Sequence, residues 1–123
     1  MATITKRALQ PAAASAEVTN VNVAATSSEG TPIHEGSSDT DHFDEVWLWA
    51  TNVHTSTQTL VLEWGGVTLA LDHFRTTINP NETVLVAPGW LLKGASTELI
   101  VKAFTTDANK VNITGYVNRI DQS

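Results

Sequence analysis

Residues 44–53 read DEVWLWATNV, and residues 59–64 read TLVLEW. In an extended chain successive side chains point to opposite sides, so Val46, Leu48 and Ala50 share one face and Trp47 and Trp49 the other. The same period of two separates Leu60, Leu62 and Trp64 from Thr59, Val61 and Glu63. These are strands. Working outward, Gly65-Gly66 predicts a tight reversal into a strand over 67–71, and an extended piece over 73–78 is closed by Asn79-Pro80-Asn81. Residues 83–87 form a strand ended by Pro88-Gly89, and 98–104 and 111–120 complete the series. Weaker strands are predicted over 18–24 and 31–34. A parallel sheet needs a crossover of about a dozen residues or more between strands, and these gaps are too short for one. The fold class is therefore all-β: a compact antiparallel β-sandwich, a jelly roll or another Greek key.

The chain changes character near residue 42. Before it the sequence is polar and rich in Ala, Ser and Thr, and the clearest strands span 43–120. Residues 1–16, with Pro11 leading into Ala12-Ala13-Ala14, carry no amphipathic stripe, so an extended N-terminal arm is expected there rather than a helix. Residues 17–123 form one sandwich domain, as a chain of 123 residues suits a single domain.

Composition excludes several classes. With no cysteine there is no disulfide framework, thiol nucleophile or cysteine zinc site. The net charge is −6 and the seven Lys and Arg are scattered, so the cluster that neutralises phosphates is missing and nucleic acid is not an expected partner. No apolar run approaches the roughly 20 residues of a membrane helix. Lys6 and Arg7 are not followed by an apolar stretch, so residues 1–20 do not read as a secretory signal.

Catalytic patterns are missing as well. His34, His42, His54 and His73 show no HExxH or other close ligand spacing, and each lies in or beside a predicted turn, where a solvated histidine is expected. The acidic stretch 39–45 (DTDHFDE) lacks the glycine and closing glutamate of a calcium loop and reads as a solvated loop. Asp72 and His73 are adjacent and point apart in a strand, a poor acid–base pair. No GxSxG, phosphate-binding or dinucleotide fingerprint occurs. A non-enzymatic protein is expected, with no catalytic, metal or cofactor residues.

What remains is the two-faced tryptophan strand. Each indole offers about 150–250 Å², so covering Trp47 and Trp49 is worth on the order of 8–12 kcal/mol as an upper bound. One face suits the core. The other calls for a second layer of the sandwich, the N-terminal arm, a neighbouring subunit, or a sugar stacked on the rings. Trp90, after Pro88-Gly89, either plugs one end of the sandwich or sits at a contact surface. Lys6 and Arg7 on the arm are positioned to meet an acidic patch. The candidate contact residues are thus Lys6, Arg7, Trp47, Trp49 and Trp90.

The segments TDHFDEVWLWATNV, TLVLEWGG, NPNETVLVAPGWLL and VNITGYVNRI, in that order, resemble small virion structural proteins of tailed bacteriophages. The likeness covers about residues 30–120 and is strongest around Trp47 and in residues 115–120. It implies a protein of the particle, assembled in the host cytoplasm. Foremost is a capsid decoration (cement) subunit; the alternative is a neck, tail or fibre-associated component. The implied partners are copies of the chain itself, a trimer first among them, and the major capsid protein or another virion protein. A carbohydrate-binding module with tryptophan platforms is the competing class.

Overall fold

The computed structural model describes residues 2–12 and 15–122; Met1, Ala13, Ala14 and Ser123 lie outside the described residues. In chain order the elements are β1 (Thr3–Arg7), β2 (Asn20–Asn22), β3 (Thr31–Glu35), β4 (His42–Asn52), β5 (Gln58–Trp64), α1 (Leu69–Asp72), β6 (His73–Ile78), β7 (Thr83–Lys93), β8 (Ile100–Thr105) and β9 (Val111–Asp121). They build two antiparallel sheets packed face to face. One runs β1-β9-β4-β7, with β2 also on β9, and the other runs β3-β8-β5-β6. The pairings are nested: β5 pairs β6, β4 pairs β7, β3 pairs β8 and β1 pairs β9. The chain is in effect one long hairpin wound about the β5–β6 connection, its strands shared between the two layers.

In β4 burial follows the alternation read from the sequence, whereas in β5 Val61 and Glu63, on the opposite face to Leu60 and Leu62, are buried as well. Val46, Leu48 and Ala50 are fully buried, and they meet Leu60 and Leu62 from the facing sheet together with Ile78, Ile113 and Val117. Trp64 and Trp90 pack against the rim of this core.

Four features depart from the sequence reading, each for a local reason. Residues 3–7 do not project as an arm. They lie along β9 from Thr3↔Asp121 to Arg7↔Val117, and Leu9 just beyond is fully buried in the core. Residues 69–72 form one helical turn in place of a strand, with Leu69 and Leu71 exposed. β7 runs through Pro88-Gly89 instead of ending there, because it is an edge strand and accommodates two bulges. Gly89 is the extra residue of one bulge, with φ +76°, and the other sets Val86 and Ala87 both inward.

The fourth departure is electrostatic. His34 and Asp44, expected in solvated turns, are each 1 % exposed. The Gln10 backbone N–H donates to His34 Nδ1 at 3.2 Å, so Nε2 carries the ring proton and donates to Asp44 Oδ2 at 2.8 Å. Arg119 donates from Nε and Nη2 to the two Asp44 oxygens at 2.7 and 2.9 Å. Burial pushes the Asp44 carboxyl up, but the hydrogen bonds from Arg119 and His34 and the Arg119 charge outweigh it and hold its pKa at about 2. Asp44 in turn raises the pKa of Arg119. Glu63 is likewise fully buried, with its oxygens accepting from Ser28 Oγ (2.5 Å), the Gly30 N–H (2.6 Å) and His73 Nε2 (3.1 Å). The loop before β3 thereby closes over that part of the second sheet.

A carboxyl whose pKa is lowered on folding stabilises the fold above its unfolded pKa and loses that contribution as the pH falls through the folded value. Asp44 falls from 3.8 to about 2, which corresponds to about 2 kcal/mol. Chemical denaturation of the wild type should show that contribution in full above about pH 5 and its loss toward pH 2. Asp44→Asn should cost about 3–5 kcal/mol at neutral pH, because Arg119 loses a buried charge partner, and should flatten this segment of the pH profile. An unchanged profile in the variant would show that Asp44 does not govern the acid limb.

Candidate functional site

The two sheets differ in how their outer faces are treated. On the five-stranded sheet the outward positions of β4 are Phe43, Glu45, Trp47, Trp49 and Thr51, and their partners on β9 are Ile120, Asn118, Tyr116, Thr114 and Asn112. Trp47, Trp49 and Tyr116 gather at the centre. Their ring centroids lie 6.3 Å (Trp47–Trp49), 6.4 Å (Trp47–Tyr116) and 6.1 Å (Trp49–Tyr116) apart, with interplanar angles of 22°, 14° and 31°. All three are only partly buried, and among the described residues no further layer of the chain lies over them.

The surrounding side chains orient the rings. Lys6 on β1 places Nζ 4.6 Å from the Tyr116 ring centroid, within cation–π range. Trp47 Nε1 donates to Glu45 Oε1 at 2.7 Å, and Asn118 Nδ2 donates to the same oxygen at 3.1 Å. The Trp47 and Asn118 hydrogen bonds lower the Glu45 pKa, so this carboxylate stays charged across the physiological range. The Trp47 indole lies over the β7 bulge, where a Cβ on Gly89 would come within 2.9 Å of Cζ2. Apolar side chains extend the face at its margins, with Ile4 70 %, Leu85 45 % and Leu91 57 % exposed.

A second aromatic cluster stands at the side of the sandwich where β6 and β7 are the edge strands. Trp64, Phe74, Trp90 and Leu91 line an open groove of about 320 Å³. Trp90 meets Trp64 edge-to-face at 5.4 Å and Phe74 at 5.0 Å, and Trp64 Nε1 donates to the Leu91 carbonyl at 2.8 Å. The groove offers ring surface and carries the apolar margin of the face round toward the second sheet.

Of the five residues picked out from the sequence, Lys6, Trp47 and Trp49 come together on the aromatic face. Trp90 stands apart in the groove. Arg7 points to the other side of β1, where Nη2 lies 3.5 Å from Gln10 Oε1 and 3.7 Å from Glu17. Tyr116 and Phe74 were missed. A period of two puts Tyr116 on one face with Thr114 and Asn118, and only the Trp47↔Tyr116 register makes it the third ring. Phe74 left no signal, because its partners come from a strand in the other sheet.

Gly89→Ala should test how the face is held. A non-glycine residue in the left-handed region costs about 1–2 kcal/mol, and the new methyl must also displace the Trp47 ring. Thermal unfolding should show that loss, with a change in near-ultraviolet circular dichroism from the tryptophan cluster. A variant with native stability and spectrum would refute the packing of Trp47 on this bulge.

No protein-family model matches the sequence, and comparison with curated proteins and with solved structures finds no match either.

Proposed function

We propose that the chain is a non-enzymatic structural subunit of a phage virion, in the first place a capsid decoration subunit, with a neck, tail or fibre-associated position as the alternative. The observation that carries this reading is the uncovered face of Trp47, Trp49 and Tyr116, continued by exposed Ile4, Leu85 and Leu91. An apolar area of this extent on a small domain is a contact surface for another protein chain. Its burial would add stability that a small core without disulfides supplies only modestly.

Three further features support it. The nested pairing of β1/β9, β3/β8, β4/β7 and β5/β6 across two sheets supports a jelly-roll reading of the sandwich, an architecture at home in viral capsid domains and also in lectins. The buried ionisable groups are engaged in holding the chain: Asp44 binds Arg119 and His34, and Glu63 binds the loop before β3. The resemblance in sequence to small virion proteins, over about residues 30–120, points the same way.

The test is retention on particles. The wild-type chain, co-expressed with the head and tail proteins of the genome that encodes it, should cosediment with heads; a Trp47→Ser/Trp49→Ser variant that keeps its fold should be retained at least about tenfold more weakly, the loss of a hydrophobic contact. Retention on tails would favour the alternative, and retention on neither would remove the virion reading. Carbohydrate binding keeps one observation in its favour, the near-parallel rings at the surface. Saturable quenching of tryptophan fluorescence by a glycan, lost in the same variant, would establish that class instead.

A further inference from the structure

We infer that the outer face of the five-stranded sheet pairs with the same face of a second copy of this chain, about a two-fold axis running along β9. The inference rests on the reading of the chain as an assembly subunit and names the partner of its aromatic face.

The argument starts from the rows of side chains that cross the sheet. One row runs Ile4 on β1, Ile120 on β9 and Phe43 on β4; the next runs Lys6, Asn118 and Glu45; the third joins Tyr116 to Trp47. On the outward side of these three strands Lys6 and Glu45 are the charged residues. They are opposite in sign, lie in one row, and flank β9 on either side. A two-fold axis parallel to β9, midway between two facing sheets, keeps each row and reverses its order. β9 then lies over β9, β1 over β4, and β4 over β1. Lys6 stands over Glu45 of the second copy and Glu45 over its Lys6. Ile4 meets Phe43, Ile120 meets Ile120, and Tyr116 meets Tyr116. In these rows charge meets opposite charge and apolar meets apolar, the self-complementarity an isologous interface requires, while in the next row Trp49 lies over Asn20 of the second copy. An axis set between β9 and β4 would instead put Lys6 over Leu91 and leave its charge without a partner.

β4 and β9 have 11 residues each, whereas β1 has five and β2, beside it on β9, has three. At about 3.3 Å per residue and about 4.8 Å between strands, β9 on β9 and the two overlaps of β4 with β1 and β2 present about 420 Å² in projection from each copy. The pair therefore covers about 850 Å², the size of a weak, reversible contact. Sheets stacked with their strands within about 30° are a standard packing, so the near-parallel alignment of β9 on β9 is sterically ordinary.

Glu45 accepts from Trp47 and Asn118 within its own chain, so a charge reversal there alone would mix two effects. The decisive measurement is a charge-swap cycle by sedimentation equilibrium, with circular dichroism verifying the fold of each variant. The wild type should dimerise reversibly as its concentration is raised. Lys6→Glu and Glu45→Lys should each weaken self-association at least about tenfold, because like charges then face each other twice. Mixing the two single variants should restore a dimer, since every cross-interface pair is again opposite in sign, and the K6E/E45K double variant should self-associate as well. A monomeric wild type, a trimer insensitive to both reversals, or no recovery on mixing would overturn the two-fold pairing. Particle retention persisting in any of those cases would leave the proposed function standing, whereas loss of retention with the charge-swap intact would strike that function and not the dimer.

Discussion

The pairing of β4 with β9 runs without a break from His42↔Asp121 to Asn52↔Val111, and the rest of the molecule is arranged around that register. It sets Arg119 beside Asp44 on the inner side and Asn118 beside Glu45 on the outer side. It also brings Tyr116 next to Trp47. A slip of one residue would move every one of these side chains to the opposite face. The register is held because the two sides have incompatible requirements: Val46, Leu48, Ala50, Ile113 and Val117 must reach the core, and Asp44 must reach both Arg119 and His34. The central strand pair therefore fixes the core, the buried ion pair and the aromatic face together.

The buried polar groups bind the first third of the chain to the rest. β1 and the residues after it are tied down by the Gln10 N–H on His34, by Leu9 in the core and by five residue pairs with β9. The loop before β3 is tied to Glu63 through Ser28 and Gly30. Removing one partner of such a set leaves a charge in the interior, which costs more than the intact pair returns. These contacts therefore specify where a polar, Ala- and Ser-rich segment lies, a task its own side chains are too small and too polar to perform by burial.

That division explains what was legible in the sequence. β4 and β8 declared themselves because alternating burial imprints a period of two, whereas β5 is buried on both faces and was legible from its apolar, β-branched composition. The inward and outward assignment of Val46 through Ala50 follows from the same period. β7 defeated it twice, since each bulge shifts the phase and Pro88-Gly89 reads as a stop unless the strand is known to be at an edge. Residues 67–71 have strand-like composition but are paired to nothing, and a turn of helix closes the β5–β6 connection instead. His34 and Glu63 were unreadable as buried groups because their partners lie 10 and more residues away, across layers that spacing does not reveal. For the site, the two tryptophans were visible and the third ring was not, because Tyr116 joins them only through cross-strand register.

The edges of the sandwich narrow the ways in which copies can associate. An open edge strand offers unpaired backbone groups to any other strand, and proteins that must not polymerise this way blunt their edges. Here β7 carries Pro88, which has no N–H to donate, and two bulges. β3 carries Pro32 and a register shift beside it. β1 is five residues long with Lys6 and Arg7 at its end, and β6 is six residues long with Arg75 within it. All four terminal strands are thus poor templates for strand addition. The broad outer face of the five-stranded sheet is different: its centre is aromatic, Lys6 and Glu45 flank β9 with opposite charge, and no segment among the described residues covers it. Obstructed edges disfavour backbone pairing into open-ended fibres, so the pairing proposed for the aromatic face would run through side chains, in a closed set.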